Sequence, residues 1–311
     1  MELGRPNVDV FAETLLEIAR QDRDVLVVTS DSRGSGKLTG FGEALPDQIV
    51  ELGIAEQNAI GISAGLASTG KKVFVASPAC FITARALEQI KNDVAYSDQP
   101  VRIIGISAGV SYGALGATHH SLHDYAALRA IHNMSIIAPA DNFETRETIR
   151  AIYGVVHPVY VRLGKAPQPH VHAQGSSFTI GRAALVQDGR DLTFIACGET
   201  VSIAVAAARQ LATEGITCRV LSMHTIKPLD EDAVQKAARE TRAIITVEEH
   251  SVYGGLGEAC AACLMQRGAR VPFRIVGFPD EHMVSGSQAE IFTHYGISLH
   301  GLAETARQLL F

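Results

Sequence analysis

The chain has no tryptophan, only five cysteines among 311 residues, and a charged fraction of 19%. The cysteines (Cys80, Cys197, Cys218, Cys260, Cys263) are odd in number and widely scattered, which argues against a disulfide framework and for reduced thiols. Cys260 and Cys263 form a CxxC on the apolar helical segment EACAACLMQ, but no second pair completes a zinc site, so they read as core. No apolar run approaches the roughly 18 residues of a membrane span, and the start MELGRPNVDVFAETLLEIARQ lacks the charged-then-apolar pattern of a signal peptide. A cytoplasmic chain with no membrane partner is therefore expected. With a formal charge of -6, no basic run and no cluster of base-stacking aromatics, nucleic acid is also excluded as a partner.

What is present is material for sizeable cores, 47% hydrophobic, in a length that favours two domains of about 100–200 residues. In the first half, apolar runs at 25–28, 73–76, 101–106, 135–139 and 158–163 read as strands. Helical patterns fill the gaps, with Phe11, Leu15 and Ile18 on one face, then Ala55 to Thr69, Arg85 to Tyr96 and Phe143 to Tyr153. This alternation predicts a parallel sheet with helices on both faces. The stretch LGKAPQPHVHAQGSS has linker composition and sets a boundary near 166–177. Alternation then resumes: strands at 192–196, 217–222, 243–247 and 273–277, and helices at 200–213, 230–239, 255–266, 288–294 and 299–309. The expected architecture is α/β throughout, two doubly wound domains covering 1–168 and 177–311.

Several segments could carry chemistry. Glu56 opens a helix rich in small residues (ELGIAEQNAIGISAGLASTG), where a carboxylate would ordinarily just complement the helix dipole. Gly61 and Gly65 on that helix permit close approach of another backbone. The loop GATHHSLHDY brings His119, His120, His123 and Asp124 within six residues, so a zinc hydrolase must be considered, although no HExxH-type motif supports it. Asp31 and Ser35 lie in TSDSRGSG, a composition that also suits an ordinary turn. In GGLGEA, Cys260 stands where a dinucleotide loop needs its third glycine, and helix entry is the better reading.

Taken together, the acidic helix start at Glu56, the ATHH loop, the PADNFET segment and the PVYVRL strand resemble the pyrimidine-binding domain of transketolases and 1-deoxyxylulose-5-phosphate synthases. They occur in the family's order at family-like spacings. The downstream VEEHSVYGGLGEA is similar to the family's C-terminal domain. The resemblance implies a thiamine diphosphate pyrimidine-binding domain followed by a transketolase C-terminal-like domain. It gives Glu56 the task of hydrogen-bonding the ring nitrogen of the cofactor's aminopyrimidine. A carboxyl in an apolar helix-start site can share a proton with such a nitrogen instead of being fully solvated.

Phe81 matches an aromatic that stacks on that ring, and Asp31 an acid beside the cofactor. Neighbouring family aromatics fall on Pro78 and Ala84. His119 matches a histidine that contacts sugar hydroxyls and shuttles protons, with His120 and His123 less closely matched. Ser35 corresponds to a donor near the substrate phosphate, and Arg162 to the arginine that grips it. Here the sequence departs from the pattern. A family arginine falls on Val8, and a loop histidine on Ser107, which stays among the candidate substrate contacts. Leu115, before Gly116, replaces an acid that reads a sugar hydroxyl. The implied reaction is transfer of a two-carbon glycolaldehyde unit from a ketose to an aldose phosphate, with an unusual donor such as apulose 4-phosphate among the candidates. A deoxyxylulose-phosphate synthase or a 2-oxoacid dehydrogenase β subunit is the alternative within the cofactor class.

One family element is missing. The diphosphate and its Mg2+ or Ca2+ are held by a GDG-plus-Asn segment, and the nearest string here, Asp188-Gly189, lacks the later Asn. A hard cation needs several oxygen ligands. The resemblance therefore implies a separate N-terminal subunit carrying that site, self-association through both domains of this chain, and no metal ligand in the chain itself.

Overall fold

A computed structural model describes all 311 residues. Its strands are β1 (Leu3–Pro6), β2 (Val25–Thr29), β3 (Ile49–Glu51), β4 (Lys72–Pro78), β5 (Arg102–Ile106), β6 (Ser135–Ile137), β7 (Val159–Arg162) and β8 (Pro167–Pro169). They continue as β9 (Ala184–Gln187), β10 (Leu192–Ala196), β11 (Cys218–Ser222), β12 (Thr225–Lys227), β13 (Ala243–Ser251) and β14 (Phe273–Phe278).

Alternation of side chains along the buried strands builds the first sheet into a three-layer sandwich. Val73, Val75 and Ile103 face the helices Glu56–Ser68 and Ala79–Arg85. Phe74, Ala76 and Ile104 face the helices Asn7–Ala19 and Asn142–Tyr153. The order is β12-β6-β7-β5-β4-β2-β3, and every pairing is parallel except that of β12 with β6. The second sheet, β14-β13-β10-β11-β9, is parallel apart from its β9 edge.

Helix ends in the second half follow capping chemistry: Asp230 accepts from the Ala233 amide, Ser287 forms a capping box with Glu290, and Ser298 accepts from the Gly301 amide.

The structure departs from the sequence expectation in three places. The helix expected over 85–96 is divided into Ala79–Arg85, a turn at Leu87–Gln89 and a π-helical segment Ile90–Tyr96. The stretch after Arg162 is no free linker, since β8 pairs with β1. Farther along it, His172 sits between Asp141 and Glu144, at 3.0 and 3.1 Å. Burial works against a charge on that imidazole, yet the hydrogen bond to Asp141 and the close Glu144 carboxylate outweigh it and hold its pKa up at about 10. Lastly, β12 lies beyond the linker but joins the first sheet, pairing Thr225 with Ile137. The largest apolar core is likewise shared, running from Val28, Val75 and Tyr160 to Ile195, Leu221, Leu256 and Cys260. All five cysteines are free and buried. No helix is long and apolar enough to cross a membrane.

Candidate active site

Parallel pairing of β3, β2, β4, β5 and β7 brings their carboxyl ends to one edge of the first sheet, the edge where open α/β sheets hold ligands. The loops leaving it carry the residues singled out above.

Glu56 follows β3 and begins a 13-residue helix whose N-cap, Ala55, offers no capping side chain. Its own side chain is 2% exposed, and it accepts a 2.5 Å hydrogen bond from Arg85 Nη1. The purely apolar setting expected for this carboxyl is thus interrupted by a cation. On the exposed side of the same helix, a Cβ added at Gly65 would meet nothing within 4 Å, and one at Gly61 would approach only Asp93 Oδ2, at 3.7 Å. Inside this chain, therefore, only the Asp93 side chain of the π-helical segment reaches the glycine pair.

From Arg85 the site continues as a row of flat groups. The Arg85 guanidinium lies over the Phe81 ring at 4.8 Å, and Phe81 meets the His119 ring edge-on at 5.4 Å. On its other side His119 meets Tyr112 edge-on at 5.5 Å. Lys165 Nζ stands 4.7 Å above the Tyr112 ring, and Thr118 Oγ1 is 3.0 Å from His119 Nδ1. Arg85, Tyr112 and Lys165 were not among the sequence-derived candidates. No motif marks them, because only the fold sets them beside Phe81 and His119. Beneath the row, Cys80 is buried, and burial raises its thiol pKa to about 11, leaving it a packing group.

The loop after β5 begins at Ser107, in a left-handed conformation (φ 51°) and 1% exposed. Its hydroxyl has no hydrogen-bond partner, an uncommon state for a buried donor. After β2, Asp31 also adopts positive φ (52°), and its amide donates to Glu51 Oε1 at 2.6 Å. Glu51 Oε2 accepts from the Thr29 hydroxyl, so this carboxylate, also absent from the sequence reading, pins the loop. The Asp31 and Ser35 residues themselves are exposed there.

Two further segments are enclosed or spread apart by the fold. Arg162, expected to grip a phosphate, is enclosed by the chain: its side chain is 5% exposed. Its Nε donates to Asp124 (2.9 Å), Nη1 to Glu249 (3.3 Å), and Nη2 to the carbonyls of Ser121 and Glu249. Four donors of the fork are spent within the chain, at the junction of the two domains. The histidine loop, for its part, does not assemble a metal site. His120 is buried with Nε2 on the Gly113 carbonyl (2.9 Å), His123 is exposed, and Asp124 is held by Arg162 and by the Tyr160 hydroxyl (2.8 Å). No group of three His, Cys, Asp or Glu side chains anywhere in the chain is arranged to hold a metal ion.

The row from Glu56 to Lys165 lies on a surface. None of the main clefts is lined by Glu56, Phe81 or His119. Beside it in sequence, Ile54 is 76% exposed and Leu115 57%, which is apolar surface of the kind that marks an interaction site.

Comparison with known proteins agrees with this architecture. Residues 6–169 match the family "Transketolase, pyrimidine binding domain", and residues 181–302 match "Transketolase, C-terminal domain". The chain is 52% identical over 301 residues, 96% of each chain, to an apulose-4-phosphate transketolase subunit of Phocaeicola vulgatus. To a 6-deoxy-6-sulfo-D-fructose transketolase subunit of Clostridium sp. strain MSTE9 it is 34% identical, over 97% of this chain and 93% of that one. A 1-deoxy-D-xylulose-5-phosphate synthase of Heliobacterium modesticaldum is 37% identical over 99% of the chain, which spans 48% of that longer protein. Among solved structures, one described as a split gene transketolase, inactive beta4 tetramer, superposes with a TM-score of 0.88 at 32% identity, covering 99% of this chain and 98% of that one. The chain therefore belongs to the transketolase family, whose pyrimidine-binding and C-terminal domains it carries in that order.

Proposed function

We propose that this chain is the smaller subunit of a split, thiamine diphosphate-dependent transketolase that moves a two-carbon glycolaldehyde unit from a ketose to an aldose phosphate. Apulose 4-phosphate is the donor we favour, because the relative sharing 52% of its residues is named for it. The observation that carries the reading is the juxtaposition of a buried carboxyl at a helix start, Glu56, with the ring of Phe81 and the imidazole of His119, on a face the chain leaves open.

These residues fit an aminopyrimidine. Glu56 supplies a hydrogen-bonding carboxyl and Phe81 a ring edge and face for stacking, while Ser107 offers a substrate a buried hydroxyl with no partner inside the chain. When bound, the cofactor supplies the nucleophilic carbon and the electron sink for cleaving the ketose. Glu56 holds the pyrimidine ring in register and shares a proton with its nitrogen, which requires Arg85 to swing away or to stay as a bridging donor. The half-exposed Arg85 side chain has room for either. His119 faces the sugar hydroxyls and moves protons there. Lys165, exposed at the end of the row, replaces Arg162 as the cation for the substrate phosphate, with Ser35 and His123 at the rim.

The diphosphate-bound Mg2+ is assigned to a larger partner subunit, because the sequence lacks the GDG-plus-Asn segment that would hold it. The open row and the uncovered Gly61–Gly65 face support a site completed by other chains. The test is copurification with the larger subunit, followed by a survey of ketose donors with thiamine diphosphate and Mg2+. Two-carbon transfer from apulose 4-phosphate that disappears in Glu56→Gln supports the reading. An active complex indifferent to that substitution sinks it.

A further inference from the structure

The C-terminal domain supplies none of the residues in the row from Glu56 to Lys165, yet it grips the loop that carries two of them. Between β5 and the helix Asp124–Arg129, the loop is closed by an antiparallel bridge of Gly109 with Ser121, whose amide donates to the Gly109 carbonyl at 2.7 Å. Its tip is poor in buried apolar anchors, since Ala114, Leu115, Ala117 and Thr118 are all exposed. Its order therefore depends on contacts at its base, where Val110 is buried in the core of the second domain.

Those contacts come from across the domain junction. The Val110 amide donates to Glu249 Oε1 at 3.0 Å, and the Ser251 amide to the Leu122 carbonyl at 3.1 Å. Gly113 packs so tightly on the 286–288 segment that a Cβ would sit 2.7 Å from the Gly286 carbonyl oxygen. Glu249 is in turn fixed by Arg162 and by Gln288 Nε2 at 2.8 Å, and the same amide nitrogen reaches Glu199 Oε2 at 2.8 Å. Two glycines seat this pair: a side chain at Gly109 (φ 61°) would collide with the Glu249 carboxyl, and one at Gly164 with that of Glu199. Gln288 opens a helix fixed by the Ser287–Glu290 capping box, so the amide is presented from a rigid base.

We infer that the C-terminal domain is a positioning element for substrate chemistry, with Glu249, steadied by Gln288 and Arg162, setting the Gly109–Ser121 loop and thereby Tyr112 and His119. The inference rests on the reading of His119 as the substrate-facing imidazole. Glu249 is a positioning residue because it touches the Val110 backbone and not the row itself.

Two variants test it. Gln288→Ala removes the bridging amide at a half-buried position and leaves the Arg162 pairs intact. Glu249→Gln keeps an acceptor for the Val110 amide while removing the charge. The first readout is amide hydrogen exchange of the isolated chain, which needs no activity. Faster exchange confined to residues 107–122 in Gln288→Ala, with both sheets still protected and Glu249→Gln closer to the parent, supports the inference. Unchanged exchange in that loop, or protection lost evenly across the chain, overturns it.

The second readout uses the reconstituted complex. Because a misplacement of about 1 Å can cost about a hundredfold in rate, kcat/KM for the ketose should fall at least about tenfold in Gln288→Ala. Cofactor affinity should stay within about twofold of the parent, since Phe81 and Glu56 are untouched. A loosened loop with unaltered ketose kinetics also overturns the positioning role. If the parent complex turns over no ketose at all, the proposed function fails, and the exchange experiment still decides whether the domain sets the loop.

Discussion

Glu56 and Arg85 form an ion pair of unequal halves: the carboxylate is 2% exposed and the guanidinium 45%, at 2.5 Å. The acid is fixed and the cation can leave. In a chain that simply used Glu56 as a helix-start charge, the partner would be backbone N–H groups. Here it is a side chain able to withdraw when something else approaches.

Substituting Glu56 by Gln is therefore expected to lower kcat of the reconstituted complex at least about a hundredfold, in the range lost when an acid–base group is removed. Circular dichroism should show the fold unchanged. Arg85→Ala leaves the buried Glu56 without its cation and should cost about 1–2 kcal/mol of stability, less than breaking a fully enclosed pair because the guanidinium end is solvated. Chemical denaturation measures it, and a loss of several kcal/mol would assign the pair to structure.

Phe81 presents its ring between a guanidinium and an imidazole. Loss of an aromatic contact is worth about 0.5–1.5 kcal/mol beyond area burial, so Phe81→Leu should weaken thiamine diphosphate binding about three- to tenfold. Calorimetric titration of the complex checks this, and unaltered affinity removes Phe81 from the cofactor site.

Lys165 and Arg162 give opposite predictions. Lys165→Ala should raise KM for a phosphorylated ketose about tenfold or more, in keeping with one lost charge-assisted hydrogen bond, and leave the dephosphorylated sugar unaffected. Arg162→Ala should leave Asp124 and Glu249 buried without their cation and destabilise the chain by about 3–5 kcal/mol. If Arg162→Ala folds normally and loses only phosphate discrimination, the assignment of these two cations is reversed.

The domain junction makes stability depend on pH. Burial, reinforced by the nearby charge of Glu249, raises the Glu199 pKa to about 8, and burial raises that of Glu248 to about 7. A carboxyl whose pKa is higher in the folded state keeps a proton that the unfolded chain has released, so stability falls as pH rises from about 4.5 toward the folded value. His250 works the other way below neutrality. Burial lowers its pKa to about 4, so stability gained from it rises up to about pH 6.5 and is constant above. The acids therefore stand clear of it between about pH 6.5 and 8. Over that window the unfolding free energy should decline, and Glu199→Gln should flatten the decline by up to about 1.4 kcal/mol per pH unit, read by chemical denaturation at each pH. An identical slope in both proteins would show that Glu199 ionises freely.

The sequence made the long elements legible because their patterning is local. Leu192–Ala196 is a strand in both readings, and Gln288–His294 a helix in both. Short strands such as β1, β3 and β12 escaped because three or four residues carry no periodicity, and their pairing is decided by distant partners. Glu56, Phe81 and His119 were singled out through motif resemblance, and the structure sets Glu56 and Phe81 around the common neighbour Arg85, with His119 against Phe81. The burial of Arg162 was not legible, because an arginine ending a strand looks alike whether it points to solvent or into a domain junction. Only the folded neighbours, Asp124 and Glu249, decide. The same applies to His120 and His123, whose spacing suggested convergence and whose side chains diverge.

A three-residue strand, Thr225–Lys227, is donated across the linker to the rim of the first sheet. A protein cut near residue 170 to obtain either half would strip β6 of its outer neighbour and bare a row of amides and carbonyls ready to recruit another chain. The two halves thus form a single folding commitment, and attempts to express them apart should yield aggregates in place of modules.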